Sequence, residues 1–599
     1  MSTQQRLARA AEAYGQRDLA AAERECRAIL ALDPSQPDAM HLLGLVLRLK
    51  GDLAAAEPLL RASVEREPQR AEFRFNFGNL LRAAGRLPEA EQQYRSALVI
   101  DPAARPARLA LARLLVAGGV PDAAEREARQ LVDRDARDAD AWAVVGAAQR
   151  AQDRLADAET SYRRALAVRP EHALARHNLG ALLGQLQRAD ESLAELDRAA
   201  RLGATSRELH FNRGRALIEL GRFDEADDAI RAALKLSPTD LGSHTLLAKL
   251  RFMRGDPDYM GELADVATKT NDPRLLLALG DLLRRGDRLE EAETIVRRLV
   301  ERHGWMPQAA SALAVLLQEQ GRLPEAAAEA RRAQAAAPED PDLTENLIAI
   351  LLQLGEGEEP GPLIQRERRR APLDQRWLAY EATAARITGS SRYEELYDYE
   401  RFVRPFDLEP PDGYPDIESF NAALRERLIE RHRLQAHPLD QSLRLGTQTS
   451  RSLLVDPDPV IQAFIRALQA PIATYREAIG FDAAHPYLER NLGTSRIVGC
   501  WSVRLRRGGY HVNHVHPEGW LSSAYYVEVP AEVEDEEMRS GWIKFGEPRM
   551  PVPGAPPAHF VQPRAGRLVL FPSYMWHGTT PITGEAARMT VAFDAVPEG

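Results

Sequence analysis

The histidines close to the C-terminus are the residues of this sequence best suited to chemistry. Five of the 14 histidines lie beyond residue 500, and three of them crowd the segment GGYHVNHVHPEGW. Side chains two residues apart on an extended strand point to the same face, so His514 and His516 are expected to face one pocket. Two neutral imidazoles side by side form a natural clamp for a divalent transition metal. The spacing therefore predicts a metal site whose third ligand comes from elsewhere in the fold.

His577 is the best candidate for that third ligand. It follows the segment GRLVLFPSYMW, from which a strand can return to the first histidine pair. Arg588 comes next, with Thr590 two positions later on the same predicted strand face. An arginine fork and a hydroxyl group on one face suit a carboxylate, so we expect Arg588 and Thr590 to anchor a dicarboxylate co-substrate.

Short runs rich in β-branched and aromatic residues must position these side chains. They begin at Thr494, are separated by Gly and Pro turns, and read SRIVGCWSVRL, WLSSAYYVEV, GWIKFG, GRLVLFP and RMTVAFDA. Several short strands without intervening helices predict a sandwich or barrel, and a double-sheet jelly roll protects the edges of such strands. Alternation sends either Tyr525 or Tyr526 inward. The inward hydroxyl, assigned to Tyr526, either contacts the co-substrate or packs in the core.

A period of 34 residues organises the first part of the chain. Small residues at this step let paired helices approach closely, and the prolines stop the second helix of each pair, which is the tetratricopeptide (TPR) pattern. We therefore predict an all-α TPR superhelix over residues 1–355, with about ten repeats and a concave surface for a protein or peptide partner. The alternative use of that surface is self-association or scaffolding. The residues that keep the period include Pro34, Pro68, Pro102, Pro170, Gly44, Gly78, Gly146, Gly180, Ala22, Ala56, Ala90 and Ala124.

The period fails after Gly355, where EGEEPGPLIQRERRRAPLD combines helix breakers with a basic cluster. We predict a linker and terminal helices over 356–398 and a separate domain over 399–599. Further helices are expected near 417–432 and 460–479, so the β domain should carry flanking helices.

The composition excludes several classes of protein. With 44% hydrophobic and 28% charged residues, the chain is too apolar to be mostly disordered. The net charge of -10 and the absence of a long Lys/Arg run argue against a nucleic-acid partner. Two distant cysteines, Cys26 and Cys500, encode neither a disulfide framework nor a cysteine zinc site, as expected in the cytoplasm. No apolar stretch predicts export or a membrane span.

The C-terminal 200 residues resemble a family of Fe(II)/2-oxoglutarate oxygenases that is often fused to TPR repeats in bacteria. The resemblance rests on HPLDQSLRLGTQT at 437–449, NHVHPEGWLSSAYYVEVP at 513–530, GRLVLFPSYMWHGTTP and ARMTVAFD. The organisation is also similar to that of aspartyl/asparaginyl β-hydroxylase, which joins a TPR array to such an oxygenase. The resemblance implies a double-stranded β-helix (jelly roll), Fe(II), 2-oxoglutarate bound at Arg588 and hydroxylation of a substrate C–H bond.

The sequence departs from the wider superfamily at one ligand. Such oxygenases usually bind iron with His-x-Asp/Glu and a distal His, whereas the second position here is His516. Either three histidines hold the iron, or His514 and His577 bind it and His516 lies outside the ligand set. Glu518 is a less favourable carboxylate donor because it stands four residues from His514.

Three functions are consistent with these observations. The first is a 2-oxoglutarate-dependent dioxygenase that hydroxylates a peptide or protein recruited by the TPR array. The second is an interaction scaffold whose jelly roll has lost catalysis. The third is an oxygenase of a small metabolite. Fold analogy alone does not select a substrate. A TPR groove that leads towards His514 and His577 would favour the first function.

Overall fold

The structure, a computed structural model, describes residues 1–434, 436, 439 and 441–598. The chain divides into two compact units, Met1–Leu186 with Asp190–Thr205, and Gln187–Ala189 with the chain from Ser206 onward. Successive helices of the first unit pack against one another as TPR pairs. They are α1 (Thr3–Gly15), α2 (Leu19–Leu30), α3 (Pro37–Leu49), α4 (Leu53–Arg66), α5 (Ala71–Ala83), α6 (Leu87–Ile100), α7 (Arg105–Ala117), α8 (Pro121–Arg134), α9 (Ala139–Ala151), α10 (Leu155–Val168), α11 (Ala173–Gln185) and α12 (Ala189–Arg201).

Glycine residues allow the two helices of a TPR pair to pack closely. A Cβ atom on Gly78 of α5 would lie 2.6 Å from the ring of Tyr94 on α6. The same atom on Gly146 of α9 would lie 2.8 Å from the ring of Tyr162 on α10. These separations are shorter than any real carbon contact, so glycine at this step lets a large side chain of the second helix lie directly on the first.

The second unit begins with further TPR helices. The repeat changes at α16, a short helix over Gly261–Thr270 that is followed by Asn271 in the left-handed conformation, with φ 55°. Pro273 then begins the next helix. The helices are α13 (Arg207–Glu219), α14 (Phe223–Leu236), α15 (Leu241–Met253), α16 (Gly261–Thr270), α17 (Pro273–Arg285), α18 (Leu289–His303), α19 (Pro307–Glu319), α20 (Leu323–Ala336) and α21 (Pro341–Gln353).

Helices then lead into and flank the β domain. They are α22 (Gly361–Arg370), α23 (Arg376–Ile387), α24 (Arg392–Leu396), α25 (Tyr399–Phe402), α26 (Ile417–Ile429), α27 (Pro459–Ala467) and α28 (Gln469–Ile479), with 3-10 turns at Leu453–Val455, Leu488–Arg490 and Ala531–Glu534. The strands are β1 (Arg404–Asp407), β2 (Leu443–Gln448), β3 (Thr494–His511), β4 (Leu521–Glu528), β5 (Ile543–Phe545), β6 (His559–Val561), β7 (Arg567–Pro572), β8 (His577–Thr579) and β9 (Arg588–Glu598).

The strands form two antiparallel sheets that face each other. The larger has the order β1-β7-β4-β9-β3-β2, and the smaller has the order β6-β5-β8. Phe545 of the small sheet meets Phe571 of the large sheet edge to face at 5.0 Å. The predicted fold class, a TPR array followed by a jelly-roll domain with flanking helices, is confirmed.

The last TPR helices share a hydrophobic core with the β domain. Ile348 and Leu352 of α21 and Trp377 of α23 are buried in the same cluster as Phe571. The Trp576 indole also donates a hydrogen bond to Thr383 Oγ1 of α23, at 3.0 Å. The segment predicted as a linker therefore contains helices that are packed against both neighbouring folds.

Candidate metal centre

The three predicted histidines lie together between the two sheets, although two of them lie outside any regular strand. His514 and His516 follow the end of β3 and are held in extended form by backbone hydrogen bonds. His514 and His577 exchange both N–H···O bonds, at 2.9 and 3.1 Å, and the His516 N–H donates to the Ser573 carbonyl at 3.0 Å. The fold thus joins the HVH segment directly to the start of β8.

One ring nitrogen of each histidine lies within 4.8 Å of those of the other two. The opposite nitrogens are occupied: His514 Nδ1 lies 2.9 Å from the Val512 carbonyl oxygen, and His577 Nδ1 lies 2.9 Å from that of Met575. A carbonyl oxygen only accepts, so these Nδ1 atoms carry the proton and each Nε2 keeps its lone pair. The arrangement leaves Nε2 as the metal-binding atom of both rings.

Burial keeps these imidazoles neutral. It lowers the pKa of His514 to about 3, with a smaller effect from neighbouring His516. Burial and the same neighbours lower the pKa of His577 well below its usual value. Neutral imidazole is the form that binds a metal, so the pocket favours the binding form at neutral pH.

Arg588 is buried beside the cavity that contains the histidines, with 2% of its surface exposed. Its guanidinium donates to the Gly541 carbonyl oxygen and lies 5.7 Å from the ring centre of Tyr526. Its Nε has no hydrogen-bond partner in the part of the chain that the structure describes. Thr590 also lines this cavity and lies opposite Tyr526 in the strand register. A buried cation with an unused donor has the chemistry expected of a carboxylate-binding group.

The two neighbouring tyrosines take different surroundings, as strand alternation predicts. Tyr526 lines the cavity, and burial raises its pKa to about 12. The Tyr525 hydroxyl donates to Asn421 Oδ1 of α26 at 2.6 Å, and its ring packs on Phe464 at 4.8 Å. Tyr526 is therefore the member of the pair that can meet a ligand.

The cavity has a volume of about 1020 Å³ and is lined by all six predicted site residues. Trp501 forms part of its wall and is stacked 5.9 Å from His516. Trp520, by contrast, is buried in the core against Tyr487. Helices of the TPR array complete the lining, through residues such as Arg284, Arg285 and Glu319.

Comparison with known families agrees with this architecture. Residues 499–594 match the family described as "Putative 2OG-Fe(II) oxygenase". The chain is a TPR-repeat protein with a C-terminal oxygenase-family domain. Tetratricopeptide repeat families match at 7–65, 50–105, 81–148, 146–207, 207–240, 277–341 and 311–375. No curated protein matches the chain.

Solved structures similar to this TPR-repeat protein include proteins described as TPR proteins. A tetratricopeptide repeat protein from Parabacteroides merdae is 15% identical, covers 42% of this chain and 98% of its own, and has a TM-score of 0.37. Yeast Tom70 is 13% identical, with 65% and 96% covered and a TM-score of 0.39. A thermophilic TPR protein from Thermus thermophilus is 24% identical, with 32% and 99% covered and a TM-score of 0.27. Within the described residues, no helix is long and apolar enough to cross a membrane.

The oxygenase-family domain contains a carboxylate that the sequence analysis did not identify. Asp594 Oδ1 and Oδ2 lie 2.7 and 2.6 Å from His516 Nδ1, and the Ser522 hydroxyl donates to Oδ1 at 2.7 Å. Alternation along β9 places Asp594 on the same face as Arg588 and Thr590, and this signal was available in ARMTVAFD. A carboxylate that accepts from a ligating histidine orients the ring and increases its basicity.

The donor set of this oxygenase-family domain fits Fe(II). Three imidazoles converge, one of them is hydrogen-bonded to a carboxylate, and a buried arginine with an unused donor lines the same cavity. His511, the first histidine of the GGYHVNHVH segment, contacts Ser442 Oγ through Nδ1 at 3.0 Å. That hydroxyl also lies 3.3 Å from His514 Nε2. Of the stretch HPLDQSLRLGTQT, His437, Pro438 and Asp440 lie outside the described residues.

Proposed function

We propose that the protein is an Fe(II)- and 2-oxoglutarate-dependent dioxygenase that hydroxylates a peptide or protein held by its TPR repeats. One observation supports this function over the alternatives. A second cavity, of about 660 Å³, is lined by α17, α19, α21 and α23 and shares His514, Val515 and Arg549 with the cavity of the metal centre. A chain lying along these TPR helices would therefore reach the histidines.

In this proposal His514, His516 and His577 hold the metal, and Arg588 with Thr590 holds the distal carboxylate of the co-substrate. Fe(II) and 2-oxoglutarate, when bound, supply the oxidising chemistry, in which O₂ is consumed, 2-oxoglutarate is converted to succinate and CO₂, and a substrate C–H bond is hydroxylated. The protein contributes position, electrostatics and the exclusion of water.

Each protein group has a separate part in that task. The Val512 and Met575 carbonyl groups hold two imidazoles in one tautomer, and Asp594 does so for His516. The unpaired Nε of Arg588 supplies a charge-assisted donor in a buried site, where such a bond is stronger than in water. The Trp501 and Tyr526 rings form walls that limit the access of water to the reacting atoms.

The TPR side of the second cavity offers groups that suit a peptide backbone. Asn346 of α21 and Gln308 and Ser311 of α19 line it, and Asn346 Nδ2 donates to Ser311 Oγ at 2.8 Å. Amide and hydroxyl side chains can both donate and accept, as a backbone requires. Ala312 and Val315 add apolar surface between them. The mixture is typical of concave TPR surfaces that bind extended chains.

Metal analysis tests the catalytic half of the proposal. Protein purified without oxygen should contain close to one iron per chain and form succinate from 2-oxoglutarate, and His514→Ala, His516→Ala and His577→Ala should each lose iron. Iron retained in His516→Ala alone would restrict the ligand set to two histidines. Wild-type protein that binds no iron would refute the enzyme and leave the scaffold.

A blocked groove tests the substrate half. Ala312→Arg on α19 should fill the second cavity, whereas Ala328→Arg on α20 places the same side chain at an exposed position. Peptide hydroxylation, followed by mass spectrometry with a proteome-derived peptide mixture, should fall in Ala312→Arg and persist in Ala328→Arg, with equal iron content in both. Equal hydroxylation in the two variants would contradict delivery through the TPR groove.

A further inference from the structure

Of the five arginines that line the metal-centre cavity, two form ion pairs. Arg284 is held between Asp281 at 2.8 Å and Glu319 at 2.6 Å, and Arg285 pairs with Asp281 at 2.7 Å. Arg444 and Arg549 have no carboxylate partner in the ranges that the structure describes. Both line the cavity that contains the three histidines.

Arg444 is held in place without being neutralised. Its Nη1 donates to the carbonyl oxygens of Gln441 and Leu443, at 2.7 and 2.8 Å, which leaves the rest of the guanidinium free to bind an anion. Burial lowers the pKa of Arg444, the positive charges of Arg549 and Arg285 lower it further, and Tyr510 and Glu319 act in the opposite direction. Arg444 is partly buried and Arg549 is exposed, and an anion close to both side chains would offset the repulsion between their like charges. Arg444 therefore presents a partly buried guanidinium without a carboxylate partner to the cavity, where a negatively charged ligand would bind favourably.

Arg549 lies where the two cavities meet. It lines both the cavity of the metal centre and the cavity of the TPR helices, whereas Arg444 lines only the first. The co-substrate arginine is a different group, since Arg588 stands on β9 beside Tyr526 and Gly541. An anion at Arg444 and Arg549 would thus be part of the substrate and would lie between the TPR helices and the histidines.

We infer that the substrate is an acidic peptide, whose Asp or Glu side chain binds Arg444 and Arg549 as the chain enters the cavity. This inference rests on the proposed function and identifies the class of substrate. The planar guanidinium fork matches a carboxylate in two parallel hydrogen bonds. Exposed Asp287 and Glu518 and the partly buried Glu319 also line the cavity, so the surrounding charge suits a single negative charge better than a phosphate dianion.

Binding of peptide pools to the metal-free, full-length protein tests this inference without requiring turnover. Fluorescent 15-residue pools of random sequence would differ only at the central residue, which is Asp or Glu, Asn or Gln, or phosphoserine. The acidic pool should bind about tenfold or more tightly than the amide pool, the scale of a charge-assisted hydrogen bond. The difference should disappear in the double variant Arg444→Gln/Arg549→Gln and shrink with added salt.

Two comparisons keep the test specific. Arg506→Gln, which changes an exposed arginine of β3, should keep the wild-type preference. Arg549→Glu should abolish the preference or reverse it, and this single variant keeps the test decisive if the double variant does not fold. Equal binding of acidic and amide pools, or a preference that survives in the double variant, would overturn the inference. Tighter binding of phosphoserine would overturn the carboxylate assignment.

The remaining outcomes separate this inference from the proposed function. Competition by free N-acetylaspartate as strong as that by an acidic peptide would overturn the peptide class in favour of a small metabolite. Absence of iron in the wild type would refute the proposed enzyme, whereas the pool preference is measured without metal. A protein that binds iron and lacks the acidic preference would therefore retain the proposed function and lose only this inference.

Discussion

Asp594→Asn is the most informative change, because it alters charge with almost no change in shape. Both carboxylate oxygens lie within 2.7 Å of His516 Nδ1, and Oδ1 also accepts from Ser522. Asparagine keeps one acceptor and turns the other oxygen into a donor, which cannot accept from the imidazole N–H. His516 should then be a weaker metal ligand with a less strictly held ring.

The size of the effect follows from the burial of the pair. The side chains of His516 and Asp594 are 16% and 15% exposed, so solvent screens the contact only in part. Loss of such a supporting group typically costs about 10- to 100-fold in metal affinity, which corresponds to ~1.4–2.7 kcal/mol. Ser522→Ala keeps the charge and both contacts with His516, so its effect should be smaller, about threefold or less.

Titration of the metal-free protein with Co(II), against a competing chelator and without oxygen, measures this affinity directly. The Co(II) absorption bands should keep the same ligand-field pattern in Asp594→Asn, since the coordinating atoms are unchanged. Wild-type affinity in Asp594→Asn would refute the supporting role. A variant that abolished binding, beside a His516→Ala protein that retained it, would instead make Asp594 the ligand.

Three further changes probe other parts of the chain. Arg588→Gln should weaken 2-oxoglutarate binding about 30-fold or more, because removal of one partner of a buried charge pair costs ~2–5 kcal/mol. Calorimetry with the Co(II) protein measures the affinity for 2-oxoglutarate. The control variant Arg506→Gln should bind 2-oxoglutarate as the wild type does. Burial lowers the pKa of His432 to about 4, below its unfolded value, so the unfolded chain takes up the proton first as the pH falls. The resulting stability is full above about pH 6.5 and is lost towards pH 4, by up to ~3 kcal/mol; His432→Gln should flatten the fall of melting temperature between pH 7 and 5, and an unchanged slope would contradict this assignment. Gly78→Ala places a methyl group 2.6 Å from the Tyr94 ring and should destabilise the first unit by ~1–3 kcal/mol in urea unfolding, whereas Gly85→Ala is a control at a position where a Cβ atom meets nothing within 4 Å. Gly85 has a positive φ of 76°, so Gly85→Ala should itself be mildly destabilising, through backbone strain. A second control removes the contact: the double variant Gly78→Ala/Tyr94→Leu should recover part of the stability that Gly78→Ala loses.

The sequence alone determines the paired helices of the repeat and the faces of the strands, because both follow from local periodicity. A 34-residue step specifies paired helices because each pair needs a small residue, a large residue and a stop at fixed positions. Period-two alternation predicts that Tyr525 and Tyr526 lie on opposite faces of β4, and only Tyr526 lines the cavity. The same rule places Arg588, Thr590 and Asp594 on one face of β9, although only the first two were recognised from the sequence.

The contacts that these residues make with distant parts of the chain depend on the tertiary structure. His514 and His516 lie beyond the end of β3, and their convergence depends on a backbone bridge to His577 rather than on a continuous strand. The ion pair of His516 with Asp594 joins residues that are far apart in the chain, and Arg285 and Arg444, which are also distant in sequence, line one cavity. Such contacts follow from the strand order and from the packing of TPR helices on the jelly roll, and the local repeat that specifies each element carries no information about its distant neighbours.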